Sequence, residues 1–179
     1  MLAETLSTKR CDLRPAKAAD LNHVVEGISH PSFPTNLPLS SLYRDGKLSS
    51  WLQRMCQLNT STHSAVWAID LKSGFPSIGQ VALIAHEGKQ TLSIWLSPVF
   101  WGHGYARETV AAVTRHCATS GAGSCVWAAT GMWNESTAHL LLSLGFTEDS
   151  VLDEGYTVDG QTYAVRQFWL SLTKNGALC

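Results

Sequence analysis

PVFWGHGYARET, spanning Pro98–Thr109, sets two glycines around a histidine, between a proline-closed apolar run and the start of a helical pattern. Glycine leaves the backbone bare, so amide N–H groups can approach a ligand without a side chain in the way. The positive end of the following helix points at the same place, which makes a phosphate the natural guest. A lone Gly-x-Gly also serves tight turns that need glycine for backbone angles alone, so the flanking chain has to decide.

Upstream the hydrophobic period is two. HSAVWAID, SIGQVALIAHEG and QTLSIWLSP read as three successive antiparallel strands, a meander that ends at the glycine loop. Downstream, YARETVAAVTRHCATS places Ala106, Val110, Val113 and Cys117 on one helical face, and SGAG stops it. SCVWAATG follows as a buried strand. NESTAHLLLSLGF is a short helix with Asn134 at its N-cap, Leu140, Leu141 and Leu144 facing inward, and Gly145 at its end. YTVDGQTYAVRQFWLSL closes the chain as a hairpin with Asp159-Gly160 at its tip. Before the meander, LSTKRCDLRPA reads as one short strand ended by Pro15, and ADLNHVVEGI as a helix that Asp20 could cap. HPSFPTNLPLS is a proline-rich loop of the kind that walls a binding site, and LSSLYRDGKLSSWLQRMCQL a second helix.

The order is strand, two helices, meander, glycine loop, helix, strand, helix, hairpin. It predicts one α+β domain over residues 1–179. A strand entering a phosphate-cradling loop and a helix, then a parallel strand, is a crossover unit whose ligand sits at the strand's C-terminal end. A dinucleotide fingerprint would need glycine where Arg107 stands, and a Walker loop would need Gly-Lys-Ser or Gly-Lys-Thr.

Composition bounds the partners. The 179 residues are 45% apolar, enough for one substantial core, with 15% charged and a formal net charge of -1. Neither nucleic acid nor a membrane surface is an expected partner. The opening MLAETLSTKR has no secretory apolar core, and the apolar runs elsewhere fall short of a membrane span, so a soluble, cytoplasmic protein is expected. Five cysteines without a C-x-x-C pair argue against both a disulfide framework and a zinc site, and are expected to be reduced. No metal is expected.

WLSPVFWGHGYARE followed at this distance by NESTAHLLLSLGF resembles the Gcn5-related N-acetyltransferases (GNAT), particularly the RimJ/RimL-like branch that acetylates ribosomal-protein N-termini. TLSTKRCDLRPA is similar to that branch's opening strand. The resemblance implies a single-domain fold with a central twisted, mixed, mostly antiparallel sheet flanked by helices. Acetyl-CoA would lie as co-substrate in a V-shaped gap between two splayed parallel strands. It further implies that amides of Gly102, His103, Gly104, Tyr105 and Ala106 hold the pyrophosphate, with Arg107 adding a charge-assisted contact and any side chain at Gly104 standing where the pyrophosphate lies. The strand around Trp95, Leu96 and Ser97 would splay from SCVWAATG, with an amide near Leu96 polarising the thioester carbonyl. Asn134 would hydrogen-bond the pantetheine arm, and Thr137, where this branch usually has serine beside the sulfur, is the implied catalytic residue. Departures stand at Val99, where the family's loop has Gln or Arg, at Leu141, where many members carry a tyrosine acid, and at Thr91, where relatives often carry a glutamate.

Each residue also has a plain structural role open to it. Asn134 and Thr137 can form a helix cap, Gly102 and Gly104 a turn, Arg107 a solvated helix position and Glu108 a support for the first helical turn. Trp127 and Trp169 read as core, and His103, His116 and His139 as surface. Trp95, Trp101 and Trp133 flank the two motifs and could line the acyl or acceptor pocket.

Magnitudes bear on the acceptor. At pH 7, deprotonating a lysine of pKa about 10.4 costs roughly 4.6 kcal/mol, against about 1 to 1.4 for an α-amino group. The meander's last strand carries no acid, and the nearest groups, Glu87 and His86, could act only through a water. This favours a weakly basic amine as acceptor, and the resemblance implies a protein N-terminal α-amino group. The acidic residues Glu148, Asp149, Asp153, Glu154 and Asp159 leave a small cationic amine open, such as a polyamine or aminoglycoside. A third possibility is a non-catalytic acyl-CoA sensor. The oligomer is expected to be a monomer or homodimer.

Overall fold

A computed structural model of the chain describes residues 2–86 and 89–172. The chain opens with β1 (Leu6–Ser7) and β2 (Cys11–Pro15), then α1 (Leu21–Ile28), α2 (Pro38–Arg44) and α3 (Leu48–Gln57). The meander follows as β3 (Ala65–Leu71), β4 (Gly79–His86) and β5 (Lys89–Leu96). After the glycine loop come α4 (Tyr105–Ser120), β6 (Cys125–Gly131), α5 (Glu135–Ser143), β7 (Thr147–Val158) and β8 (Gln161–Ser171).

All eight strands form one sheet in the order β1-β2-β3-β4-β5-β6-β8-β7. Every pairing among the described residues is antiparallel except β5 with β6. That pair is joined only at Gln90↔Val126 and Thr91↔Trp127, although the strands run on to Leu96 and Gly131. The V-shaped gap is this divergence. At its base Gln90, 1% exposed, donates through Nε2 to the carbonyls of His63 (2.9 Å) and Ala122 (2.8 Å).

Alternation along β3 sends Trp67 and Ile69 to one face of the sheet and Val66 and Ala68 to the other. Trp67 and Ile69 meet Val110, Val113 and Cys117 of α4 and Leu141 of α5 in the larger core. On the opposite face, Trp95 packs with Val24, Ile28 and Leu52 from α1 and α3. A Cβ at Gly27 would come within 2.9 Å of the Trp95 ring, so glycine is what lets α1 approach this closely.

Several expectations change. The opening strand is two, because Thr8 N–H donates to the Cys11 carbonyl (2.8 Å) and turns the chain between β1 and β2. The long second helix breaks at Gly46 (φ +68) into α2 and α3. β7 starts at Thr147, well before Tyr156, and carries irregularities after Glu148 and after Leu152, as suits an edge strand. Asp20 does not cap α1. Its carboxylate accepts from the Lys17 amide (2.8 Å) across the preceding 3-10 turn and from Arg14 (2.7 and 3.0 Å), which also grips Asp70 (2.8 Å). Trp127 and Trp169 are half-buried rather than core; they face each other across β6 and β8, with Trp127 Nε1 donating to Gln167 Oε1 (3.2 Å). Cys11, Cys56 and Cys117 are free, and burial pushes the Cys117 thiol up to about 11, but Cys125 is disulfide-bonded.

Candidate active site

The glycine loop leaves β5 through a 3-10 turn at Pro98–Phe100, and Trp101 Nε1 donates back to the Leu96 carbonyl (2.8 Å). Gly102 (φ +75) and Gly104 (φ +79) both sit in the left-handed region, which L side chains avoid. A Cβ at Gly102 would meet nothing within 4 Å. One at Gly104 would point toward Arg10, 3.5 Å from its Nη2, so the constraint that the structure shows at Gly104 is its backbone angle.

The ladder fixes which β5 amides face the gap. Ser97 N–H donates to the Ile78 carbonyl (2.8 Å) and so faces β4, the Ala85 amide turns away from β5 to the Ser64 hydroxyl (3.1 Å), and antiparallel pairs alternate. Gly79/Leu96 is therefore a non-bonded pair, and the Leu96 N–H points away from β4 into the divergence. Across the gap, Asn134 Oδ1 accepts from the Thr137 amide (3.2 Å), so it caps α5 as expected. The Thr137 hydroxyl and Asn134 Nδ2 have no partner among the described residues. One helical step decides the next position: Leu140 lines the cleft, whereas Leu141 is 2% exposed in the core.

These elements enclose a cleft of about 600 Å³. Of the residues singled out from sequence, Trp95, Leu96, Gly102, Gly104, Tyr105, Ala106, Arg107, Asn134 and Thr137 line it, as do Trp101 and Trp133. Ser97 and His103 stand outside its wall; Ser97 is buried in the ladder, and the His103 carbonyl is turned toward Arg10. The proline loop closes one end with Phe33, Pro34 and Leu37. Trp95 is fixed there by the edge of Phe33 (6.3 Å, 84°) and by a bond from its Nε1 to Gln80 Oε1 (3.3 Å). Trp133 lies over Gly131 and donates to the Tyr156 hydroxyl (3.1 Å).

The electrostatics are sparse. Arg107 is exposed, lines the cleft and has no ion-pair partner among the described residues. The one carboxylate in the described wall, Glu135, is paired with Arg166 (3.0 Å). None of the five hairpin-region acids lines the cleft. Arg166 holds Glu148 (2.6 Å) below its ordinary range through that hydrogen bond, and Asp159 is paired with Arg44 (2.5 Å). His86 pairs with Lys89 at the end of β4 opposite Gly79, roughly 23 Å away by strand rise, which is out of reach through one water. Glu87 lies outside the described residues.

Sequence reasoning missed the group behind the loop. Glu108 does more than support its own helix turn: it accepts from the Thr8 hydroxyl (2.6 Å), the Arg10 amide (2.7 Å) and Arg10 Nε (2.7 Å). Burial works to raise its pKa, but these bonds outweigh burial and hold it below the ordinary value. Arg10 Nη1 in turn donates to the His103 carbonyl (2.8 Å).

The sequence matches the acetyltransferase (GNAT) domain over residues 10–147. No curated protein matches it. Among solved structures, the fold is similar to RimL, a ribosomal L7/L12 alpha-N-protein acetyltransferase in complex with coenzyme A. The TM-score is 0.80 at 15% identity, over 94% of this chain and 98% of that one. It is also similar to the microcin C7 self-immunity acetyltransferase MccE in complex with acetyl-CoA and AMP, with TM-score 0.79, 15% identity and coverage of 91% and 93%. A spermidine N-acetyltransferase SpeG chimera from Vibrio cholerae and hSSAT is similar with TM-score 0.75, 16% identity and coverage of 94% and 99%. No described helix is long and apolar enough to cross a membrane, and no metal-binding cluster occurs among the described residues.

Proposed function

Since this chain belongs to the GNAT acetyltransferase family, we propose that it transfers the acetyl group of acetyl-CoA to a protein N-terminal α-amino group by direct attack. The cleft suits that co-substrate: two glycines without a Cβ precede the positive end of α4, Arg107 is an unpaired cation beside them, and the Leu96 amide faces the gap without a ladder partner. Acetyl-CoA supplies the activated acetyl group. Amides of Gly102, Gly104, Tyr105 and Ala106 hold the pyrophosphate, with Arg107 adding charge, and Asn134 Nδ2 donates to the pantetheine arm. The Leu96 N–H donates to the thioester carbonyl as charge builds on its oxygen. The amine nitrogen forms the new C–N bond as the C–S bond breaks; its proton passes to solvent, and the Thr137 hydroxyl donates to the departing sulfur.

One observation carries the α-amino reading: the only carboxylate in the described wall, Glu135, is already ion-paired. Without a free base, an acceptor that sheds its proton near pH 7 is favoured by about 3 kcal/mol over a lysine. The likeness to RimL, an alpha-N-protein acetyltransferase, points the same way. A small-molecule amine is the second reading, on the likeness to the spermidine N-acetyltransferase. Thiol release measured with N-terminal peptides and with spermidine separates them. Peptides are expected to turn over, with a rate that levels off near the acceptor's own pKa of about 7.7 to 8.0. Turnover confined to spermidine, with a rate still climbing toward pH 10, would overturn the α-amino reading.

Thr137→Ala is expected to lower kcat about tenfold or more while changing the acetyl-CoA affinity less than threefold, because the hydroxyl's bond strengthens as charge grows on sulfur. Thr137→Ser should be near neutral. Full turnover in Thr137→Ala with chemistry rate-limiting would leave Thr137 a cap residue alone.

A further inference from the structure

We propose that Arg10 is a positioning residue for acetyl-CoA: from outside the cleft it sets the direction of the Gly104 amide. The inference rests on the reading of the glycine loop as a pyrophosphate cradle. The peptide unit joining His103 to Gly104 is planar and trans, so its C=O and N–H point in opposite directions. Arg10 Nη1 holds the carbonyl at 2.8 Å on the side away from the cleft. The Gly104 N–H is thereby aimed at the other side, where Gly104 lines the cleft wall. A cationic donor on the carbonyl also polarises the peptide and strengthens its N–H as a donor to an anion.

The guanidinium is itself held on three sides. Its Nε meets Glu108 Oε2 at 2.7 Å, its Nη1 meets the His103 carbonyl at 2.8 Å, and its carbon lies 4.5 Å over the Tyr105 ring, while the Arg10 backbone amide donates to the other Glu108 oxygen at 2.7 Å. The turn that carries Arg10 is anchored by Lys72, whose amide donates to the Arg10 carbonyl (2.9 Å) and whose Nζ donates to the Thr8 carbonyl (2.6 Å). Arg10 does not line the cleft, whereas Arg107 does; the two arginines have separate tasks on opposite sides of one loop.

The test compares wild type, Arg10→Ala and Arg10→Gln with two acetyl donors, acetyl-CoA and S-acetylpantetheine, which lacks the pyrophosphate and the adenosine. Arg10→Ala is expected to raise KM for acetyl-CoA about tenfold with kcat within twofold, and to leave kcat/KM for S-acetylpantetheine unchanged. Arg10→Gln keeps a neutral donor and should recover part of the loss; it also carries the test if the alanine variant does not fold. The Kd penalty measured by calorimetry should be equal for CoA and 3'-dephospho-CoA. Equal losses with both acetyl donors would reduce Arg10 to a fold residue, and a penalty that vanishes with 3'-dephospho-CoA would make it a direct phosphate ligand; either overturns the proposal. Wild type using both donors with equal KM would instead overturn the cradle reading itself.

Discussion

Gly104→Val is expected to weaken acetyl-CoA binding by at least about 100-fold, roughly 2.7 kcal/mol, while the protein stays folded. The cause is conformational. Gly104 sits at φ +79, where an L residue is strained by about 1 to 2 kcal/mol and a β-branched one by more. A side chain would also lie against Arg10 Nη2. The loop would relax out of this conformation and its amides would no longer converge. The prediction is graded: alanine, whose Cβ makes only an ordinary contact at 3.5 Å, and asparagine, which tolerates the left-handed region, should each cost less than valine. Calorimetry with CoA on folded variants reads this directly, and an unchanged affinity in Gly104→Val would remove the loop amides from the site.

Arg14→Ala is expected to be the most destabilising change to a polar residue, by about 3 kcal/mol in urea unfolding at pH 7. Arg14 is the cation between two carboxylates, and Asp20 is 4% exposed. Burial alone would raise the Asp20 pKa, but hydrogen bonds from Arg14 and the Lys17 amide outweigh it and hold the group below its ordinary 3.8. A lowered carboxylate contributes its stability above the unfolded pKa, and that contribution is lost as pH falls through the lowered folded value. Wild type should keep this contribution down to about pH 4. In Arg14→Ala, Asp20 stays buried without its cation, so its pKa rises and protonation relieves it. The deficit relative to wild type should therefore shrink between pH 7 and pH 4. A deficit under about 1 kcal/mol at pH 7, or one that grows on acidification, would show that the pair is not what holds this corner.

The parts of the fold that were legible in sequence are those with a period and a stop. β5, the glycine loop and α4 read correctly because a two-residue period gives way to i, i+3, i+4 spacing with glycines between. The break at Gly46 was hidden because LSSLYR and LSSWLQRMCQ share one helical period, and a single glycine inside such a pattern is often tolerated. The turn between β1 and β2 passes through Ser-Thr-Lys-Arg, with neither glycine nor proline to mark it. Trp127 and Trp169 sit in apolar runs, and a run does not say what covers each face of its strand.

In the site, Asn134 was legible as a cap from its local spacing. Leu140 and Leu141 were not separable, because neighbours on a helix differ by about 100° and only the packed helix shows which one faces the gap. His86 is close to β5 in sequence, but its strand carries it to the far end of the hairpin. Arg10 was invisible because its partner Glu108 is 98 residues away, and a long-range contact leaves no local period.

The divergence of β5 from β6 has a consequence for how the molecule opens. With only two residue pairs between them, the ladder falls into two blocks, β1 to β5 and β6 with β8 and β7, joined beneath Gln90 and through the core that both share. Opening along that seam breaks few ladder bonds, so amide hydrogen exchange there is expected to proceed by a sub-global route below the cost of global unfolding. Acetyl-CoA held as proposed, by the Leu96 amide on one side and Asn134 on the other, would span the seam and stand in for the missing ladder. Binding of that kind would favour the closed sheet by mass action, and the mechanical integrity of the two blocks would become a function of acetyl-CoA concentration.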